Sequence, residues 1–87
     1  MAAHVPALIC DVNGAPVVEH ISTGAMVVRA RCDNDPRTET PLTIYPSPKN
    51  TTAQIQTTIA MHLEAVKQYH IALLAADAAV TGFAVKL

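Results

Sequence analysis

The stretch from Asn50 to Ala76 constrains this chain more than any other, because it leaves little room for anything but a helix. Apolar residues recur at Ile55, Ile59, Leu63, Val66, Leu73 and Leu74, with the amphipathic His70 in the same series. Steps of three and four residues put these side chains along one face of a 3.6-residue helix. Gln54, Thr58, Glu64, Lys67 and Gln68 fall largely off that face, and Glu64 with Lys67 can pair one turn apart. The start is marked too. Asn50 or Thr51 can cap the helix, and Thr51-Thr52-Ala53-Gln54 fits a capping box in which Gln54 returns to the cap amide. Just ahead, Pro46-Ser47-Pro48-Lys49 reads as a stiff linker biased toward polyproline II geometry.

A helix over 50–76 would be about 40 Å long at 1.5 Å per residue. A compact domain of about 100 residues has a radius of gyration of only about 13 Å. Such a helix outruns its own domain, so it either stops between residues 70 and 78 or docks its end on another chain. The first outcome is expected. Thr81-Gly82 then breaks the pattern, and 80–87 forms a short last strand, centred on Phe83 to Leu87, or a tail.

The first half reads as strands. Val5 to Val12 is largely apolar and runs into Asn13-Gly14, the favoured dipeptide of a tight hairpin turn. Val17 to Ile21 follows as a second strand, with Pro16 at its start or on an edge because proline donates no ladder hydrogen bond. Ser22-Thr23-Gly24 is the next turn. Ala25 to Cys32 is a third strand, with Val28, Ala30 and Cys32 on one face and Val27, Arg29 and Arg31 on the other. Asp33 to Arg37 is a loop, and Thr38 to Tyr45 a fourth strand placed at an edge by Pro41. The expected architecture is therefore a single α+β domain over 1–87. It has a small antiparallel sheet of about four strands in 1–45, a linker at 46–49, and one long C-terminal helix at 50–76.

Composition bears on what surrounds that domain. Of 87 residues, 51% are apolar and only 15% charged, against about 25% charged in an average domain. A chain this short has proportionally more surface to cover. The apolar excess is carried by 15 Ala and 9 Val, while aromatics are a single Phe and two Tyr. Part of that surface is expected to be buried against copies of the chain or a larger partner. A net charge of −1 gives no electrostatic case for a polyanion, so nucleic acid is disfavoured. The opening residues show no basic-then-apolar leader, and no apolar run approaches a membrane span. A cytoplasmic protein, or a particle assembled inside a cell, is the expected setting, with Cys10 and Cys32 as free thiols.

The residues that could carry chemistry are sparse. His62 and His70 stand about 80° and roughly 12 Å apart on a helix, too far to share a metal with bonds near 2.1 Å. His4 or His20 could join a helical histidine only if the fold brought them together, so the histidines are expected to be half-exposed and unliganded. Asp33-Asn34-Asp35 with Glu39 resembles a calcium loop, but Thr38 and Ile44 stand where glycine and glutamate belong. An Asx turn is the expected form. No G-x-S-x-G elbow and no glycine-rich phosphate cradle is present.

These readings predict no catalytic residue, no metal, no cofactor and no small-molecule substrate. They predict a non-enzymatic assembly subunit in a homo-oligomer or a larger particle, such as a virion or phage component. The expected interface residues are Arg29, Arg31, Tyr45, Tyr69, Leu73 and Leu74, arginine being suited to interfacial carboxylates through its planar fork. Two alternatives use other residues. One is a small enzyme or accessory subunit with a His/Cys site at a subunit boundary, drawing on His20, His62, His70 and a strand cysteine. The other is a nucleic-acid-binding or regulatory module using Arg29, Arg31 and Arg37.

Overall fold

The computed structural model describes residues 4–86, with side chains described as far as Val80. Four strands, β1 (Pro6–Leu8), β2 (Glu19–His20), β3 (Met26–Cys32) and β4 (Thr40–Ile44), form one antiparallel sheet, and one helix, α1 (Thr52–Lys86), packs on it. This is the α+β arrangement of a small sheet and one long C-terminal helix that the sequence pattern leads one to expect.

β3 is the central strand, and its register explains the layout. Val27 pairs with both Glu19 and Thr43, and Ala30 pairs with both Leu8 and Thr40. A strand residue has only two edges, so β1 and β2 share the edge of β3 opposite β4. They are one edge strand interrupted by a hairpin. That hairpin turns at Asn13-Gly14, where Gly14 takes φ +81°, a left-handed backbone that costs glycine nothing. The Asp11 carboxylate accepts from the Asn13 and Ala15 amides at 2.8 and 3.1 Å, and Cys10 bridges Pro16 across the stem. The excursion shortens both strands from the expected Val5–Val12 and Val17–Ile21.

From Val28 to Cys32 the faces of β3 divide as its alternation predicts: Val28, Ala30 and Cys32 are buried, while Arg29 and Arg31 are half-exposed on the opposite face. Val27, expected on the face of the two arginines, is buried as well. Ala30 and Cys32 meet Val66 of α1, with Leu8 and Leu63 packed around them. The buried apolar side chains are Ala25, Val27, Val28, Ala30, Cys32, Ile44 and Val66. None is aromatic and none is larger than Ile, so the core is thin even for a short chain.

α1 starts as predicted. The Gln54 side chain accepts from the Thr51 amide at 3.1 Å, and the Thr51 hydroxyl accepts from the Gln54 amide at 3.2 Å. Asn50 turns away and donates to the Tyr45 carbonyl. The other end requires a correction: the helix does not stop between residues 70 and 78 but runs on to Lys86. Thr81-Gly82 is no break, and Phe83 to Lys86 is helix and not a fifth strand. The remaining residue of that expected strand, Leu87, lies outside the described residues. A mid-helix glycine costs only about 1 kcal/mol relative to alanine, and α1 has already carried the chain past the sheet, where no strand waits to pair. The radius of gyration is 16.2 Å, against about 12 Å for a compact chain of this length. No helix among the described residues is long and apolar enough to cross a membrane.

Candidate functional site

Chemistry-bearing side chains converge where β3 ends. Cys32 is the last residue of β3, on the face toward α1, and is fully buried. Asp33 and Asn34 then take φ +53° and +58°, left-handed conformations that Asp and Asn tolerate better than other side chains. The reversal returns the Asp33 carboxylate toward the sheet. There its Oδ1 accepts from the Val5 amide at 2.8 Å, while the Asp33 amide donates to the Val5 carbonyl at 3.0 Å. That two-point tie sets His4, just before β1, beside Asp33. From the other layer, α1 delivers His70, which is only 4% exposed.

The result is a compact group. His4 Nδ1 and His70 Nδ1 each lie 3.4 Å from Asp33 Oδ2, and the two rings meet edge to face at 5.5 Å between centroids. One donor atom from each of His4, Cys32, Asp33 and His70 lies within 4.8 Å of every other. Both Nδ1 atoms are buried and lack a hydrogen-bond partner. Burial, with the adjacent Asp33 carboxylate adding to it, pushes the Cys32 thiol up from its ordinary pKa. It is therefore an unreactive thiol in the absence of a cation.

A rigid loop surrounds the group. Thr38, fully buried, accepts from the Cys32 amide at 2.8 Å and donates to the Asp35 carbonyl at 2.6 Å. Asp35 caps the 3-10 turn Pro36–Thr38 by accepting from the Arg37 amide at 3.0 Å, the Asx turn that the loop composition predicts. Its Oδ2 sits 3.3 Å from His70 Nε2 and 3.0 Å from Arg37 Nη2. Hydrogen bonds from the Arg37 side chain and amide, helped by the Arg37 charge, hold the Asp35 carboxyl down to about 2. Arg37 reaches on to Asp77 of α1 at 2.8 Å, clamping the loop to the helix.

His4 and His62 are half-exposed as expected, and His70 departs from that expectation. His70 is buried and His4 partly so, whereas His62 approaches only the Thr40 carbonyl, at 3.5 Å, and His20 is exposed. Spacing correctly separates His62 from His70. It gives no sign that His4 and His70 meet, since residues 4, 32, 33 and 70 are distant in sequence and share no motif.

The six residues expected at an interface fall in two places. Arg29 and Arg31 project from the open face of the sheet, where Arg29 pairs with Glu19 at 3.2 Å and Arg31 with Glu39 at 2.6 Å. Glu39 also lies 3.9 Å from Arg29, so this strip is internally neutralised. Tyr45, just past β4, is exposed. Tyr69, Leu73 and Leu74 sit together on α1, Leu73 half-buried and the other two exposed. A surface concavity runs along β1, beside Ala7, Cys10 and Arg31, and of the His/Cys/Asp group it is lined by Asp33.

Compared with known proteins, the chain matches no family model, no curated sequence and no solved structure.

Proposed function

We propose that the chain is a non-enzymatic assembly subunit that associates with copies of itself, in a homo-oligomer or in a larger particle such as a virion or phage component put together inside a cell. The observation that carries this reading is the continuation of one apolar helix face beyond the sheet. Ile59, Val66, Leu73 and Val80 follow one another at seven-residue steps. The first three are buried or half-buried, whereas Val80 is 68% exposed. Leu74, beside the seam, is 38% exposed. A seven-residue apolar repeat is the pattern by which helices pack along one another. The same helix from a second copy is its natural complement, because a self-complementary stripe satisfies both partners at once.

Light scattering on the purified chain between about 1 and 100 μM spans the range where modest self-association shows. The expected result is a mass that is a multiple of 9.2 kDa and that falls on dilution. Leu74→Glu with Val80→Asp is expected to return the chain to monomer without loss of helical circular dichroism. A 9.2 kDa species at every concentration, with no co-purifying partner, overturns the proposal.

A further inference from the structure

We infer that His4, Cys32, Asp33 and His70 form a closed four-ligand site for a zinc-class divalent ion, which ties the N-terminal segment, the end of β3 and α1 together. Three independent observations lead there.

The first is distance. With bonds of about 2.0–2.3 Å to nitrogen, oxygen and sulfur, the edges of a coordination tetrahedron are about 3.3–3.8 Å. Asp33 Oδ2 stands 3.4 Å from both Nδ1 atoms, already an edge length. The widest separation in the group, 4.8 Å or less, closes with a movement of about 1 Å, the scale of a side-chain adjustment.

The second is the state of the lone pairs. Leaving a buried polar atom unpaired is costly, yet His4 Nδ1 and His70 Nδ1 are both buried and unpaired. Both face the same carboxylate oxygen without making a hydrogen bond to it. Asp33 is divided to match: Oδ1 is occupied by the Val5 amide, leaving Oδ2 for an ion. One cation on the Oδ2 side satisfies all three atoms.

The third is what stands behind the ligands. Metal-bound histidines characteristically give their other ring nitrogen to a carboxylate, which fixes ring orientation. His70 Nε2 faces Asp35 Oδ2 at 3.3 Å, and Asp35 is itself held by Arg37. Cys32 is fixed through its amide by buried Thr38.

Donor chemistry narrows the ion. Two imidazoles, one thiolate and one carboxylate suit a borderline-soft tetrahedral ion; calcium and magnesium want more oxygen ligands. Four protein ligands leave no open position for a reacting water, which marks the site as structural and not hydrolytic. Coordination replaces the Cys32 thiol proton, which passes to the buffer.

The test uses the full chain, freed of metal with a chelator and then titrated with Zn²⁺ or, as a visible probe, Co²⁺. Expected are one equivalent bound per chain, a rise in Tm on Zn²⁺ addition, and a Co²⁺ spectrum with intense tetrahedral bands and a thiolate charge-transfer band. Asp35→Asn, which reaches the four ligands through His70 and keeps an oxygen for the turn cap, is expected to weaken Zn²⁺ binding about 10- to 100-fold. His4→Asn and Cys32→Ser are expected to weaken it further, and Cys32→Ser to remove the charge-transfer band. His20→Ala with His62→Ala is expected to change nothing. Should Cys32→Ser fail to fold, His4→Asn decides, because His4 lies outside the apolar core. The inference is overturned by less than stoichiometric binding at micromolar Zn²⁺, by a weak octahedral Co²⁺ spectrum, or by unchanged affinity in His4→Asn.

Discussion

The loop from Cys32 to Thr38 and the far end of α1 lie within one ion pair of each other, yet they are built on opposite terms. In the loop nearly every polar group is engaged. Cys32 is tied to Thr38, Thr38 to Asp35, Asp35 to Arg37 and His70, and Asp33 to Val5. On α1, Arg37 to Asp77 is the last polar tie to the rest of the fold among the described residues, and Leu74 to Val80 are exposed. The contrast teaches where this molecule concentrates its order. With a core of small aliphatic side chains, the polar closure at the end of β3 is expected to add to what Val66 and its neighbours contribute. The exposed outer turns of α1 are expected to contribute little to the isolated fold.

That division is open to attack, best in metal-free protein so that the polypeptide is measured alone. The largest effect is expected at the shared centre. Val66→Ala empties a fully packed position between Ala30 and Cys32 and should cost about 2–3 kcal/mol by urea unfolding. Thr38→Val keeps the volume but leaves the Cys32 amide without an acceptor. A loss of about 1–2 kcal/mol is expected, and a neutral result would show that the loop is not where stability resides. On the open sheet face, breaking the half-exposed Arg31–Glu39 pair with Arg31→Ala should cost less than about 1 kcal/mol. Leu74→Ala and Val80→Ala should each stay within about 0.5 kcal/mol in the monomer while shifting the association equilibrium measured by light scattering.

A pH titration sharpens the comparison without an energy scale. The Asp35 carboxyl is depressed from 3.8 to about 2 by Arg37. A depressed carboxyl contributes stability that is present above its unfolded pKa and lost as pH falls through its folded one. Stability should therefore drop between about pH 4 and pH 2. Arg37→Gln should bring the Asp35 carboxyl resonance back toward ordinary values in an NMR titration and flatten that drop.

How much of this was legible in the sequence depends on range. The capping box at Thr51 and Gln54, the stripe from Ile55 to Leu73 and the alternation of Val28, Ala30 and Cys32 are local periodicities, and each holds in the fold. The helix end departs from the expected stop between residues 70 and 78 because that expectation holds the helix to the length of a compact domain, whereas α1 runs on past the sheet to Lys86. Pairing of Pro6 with Cys32 and docking of Val66 on Ala30 bring His4 and His70 together, and neither event leaves a spacing to recognise. The nearest available hint was Asp33-Asn34, a pair suited to left-handed backbone, which marked a sharp reversal directly after a cysteine.

The interrupted edge strand has a practical consequence. Because β1 and β2 both take their register from β3, the turn beyond the Cys10–Pro16 bridge is not needed to set the sheet. The tip at Val12 to Gly14 is open on all sides, Val12 being fully exposed. A fluorophore or an epitope spliced in at Asn13-Gly14 should be carried like a flag on a mast, since lengthening an already closed loop adds little entropy. It would report from a fixed point while leaving both the loop at Cys32 and the far end of α1 untouched.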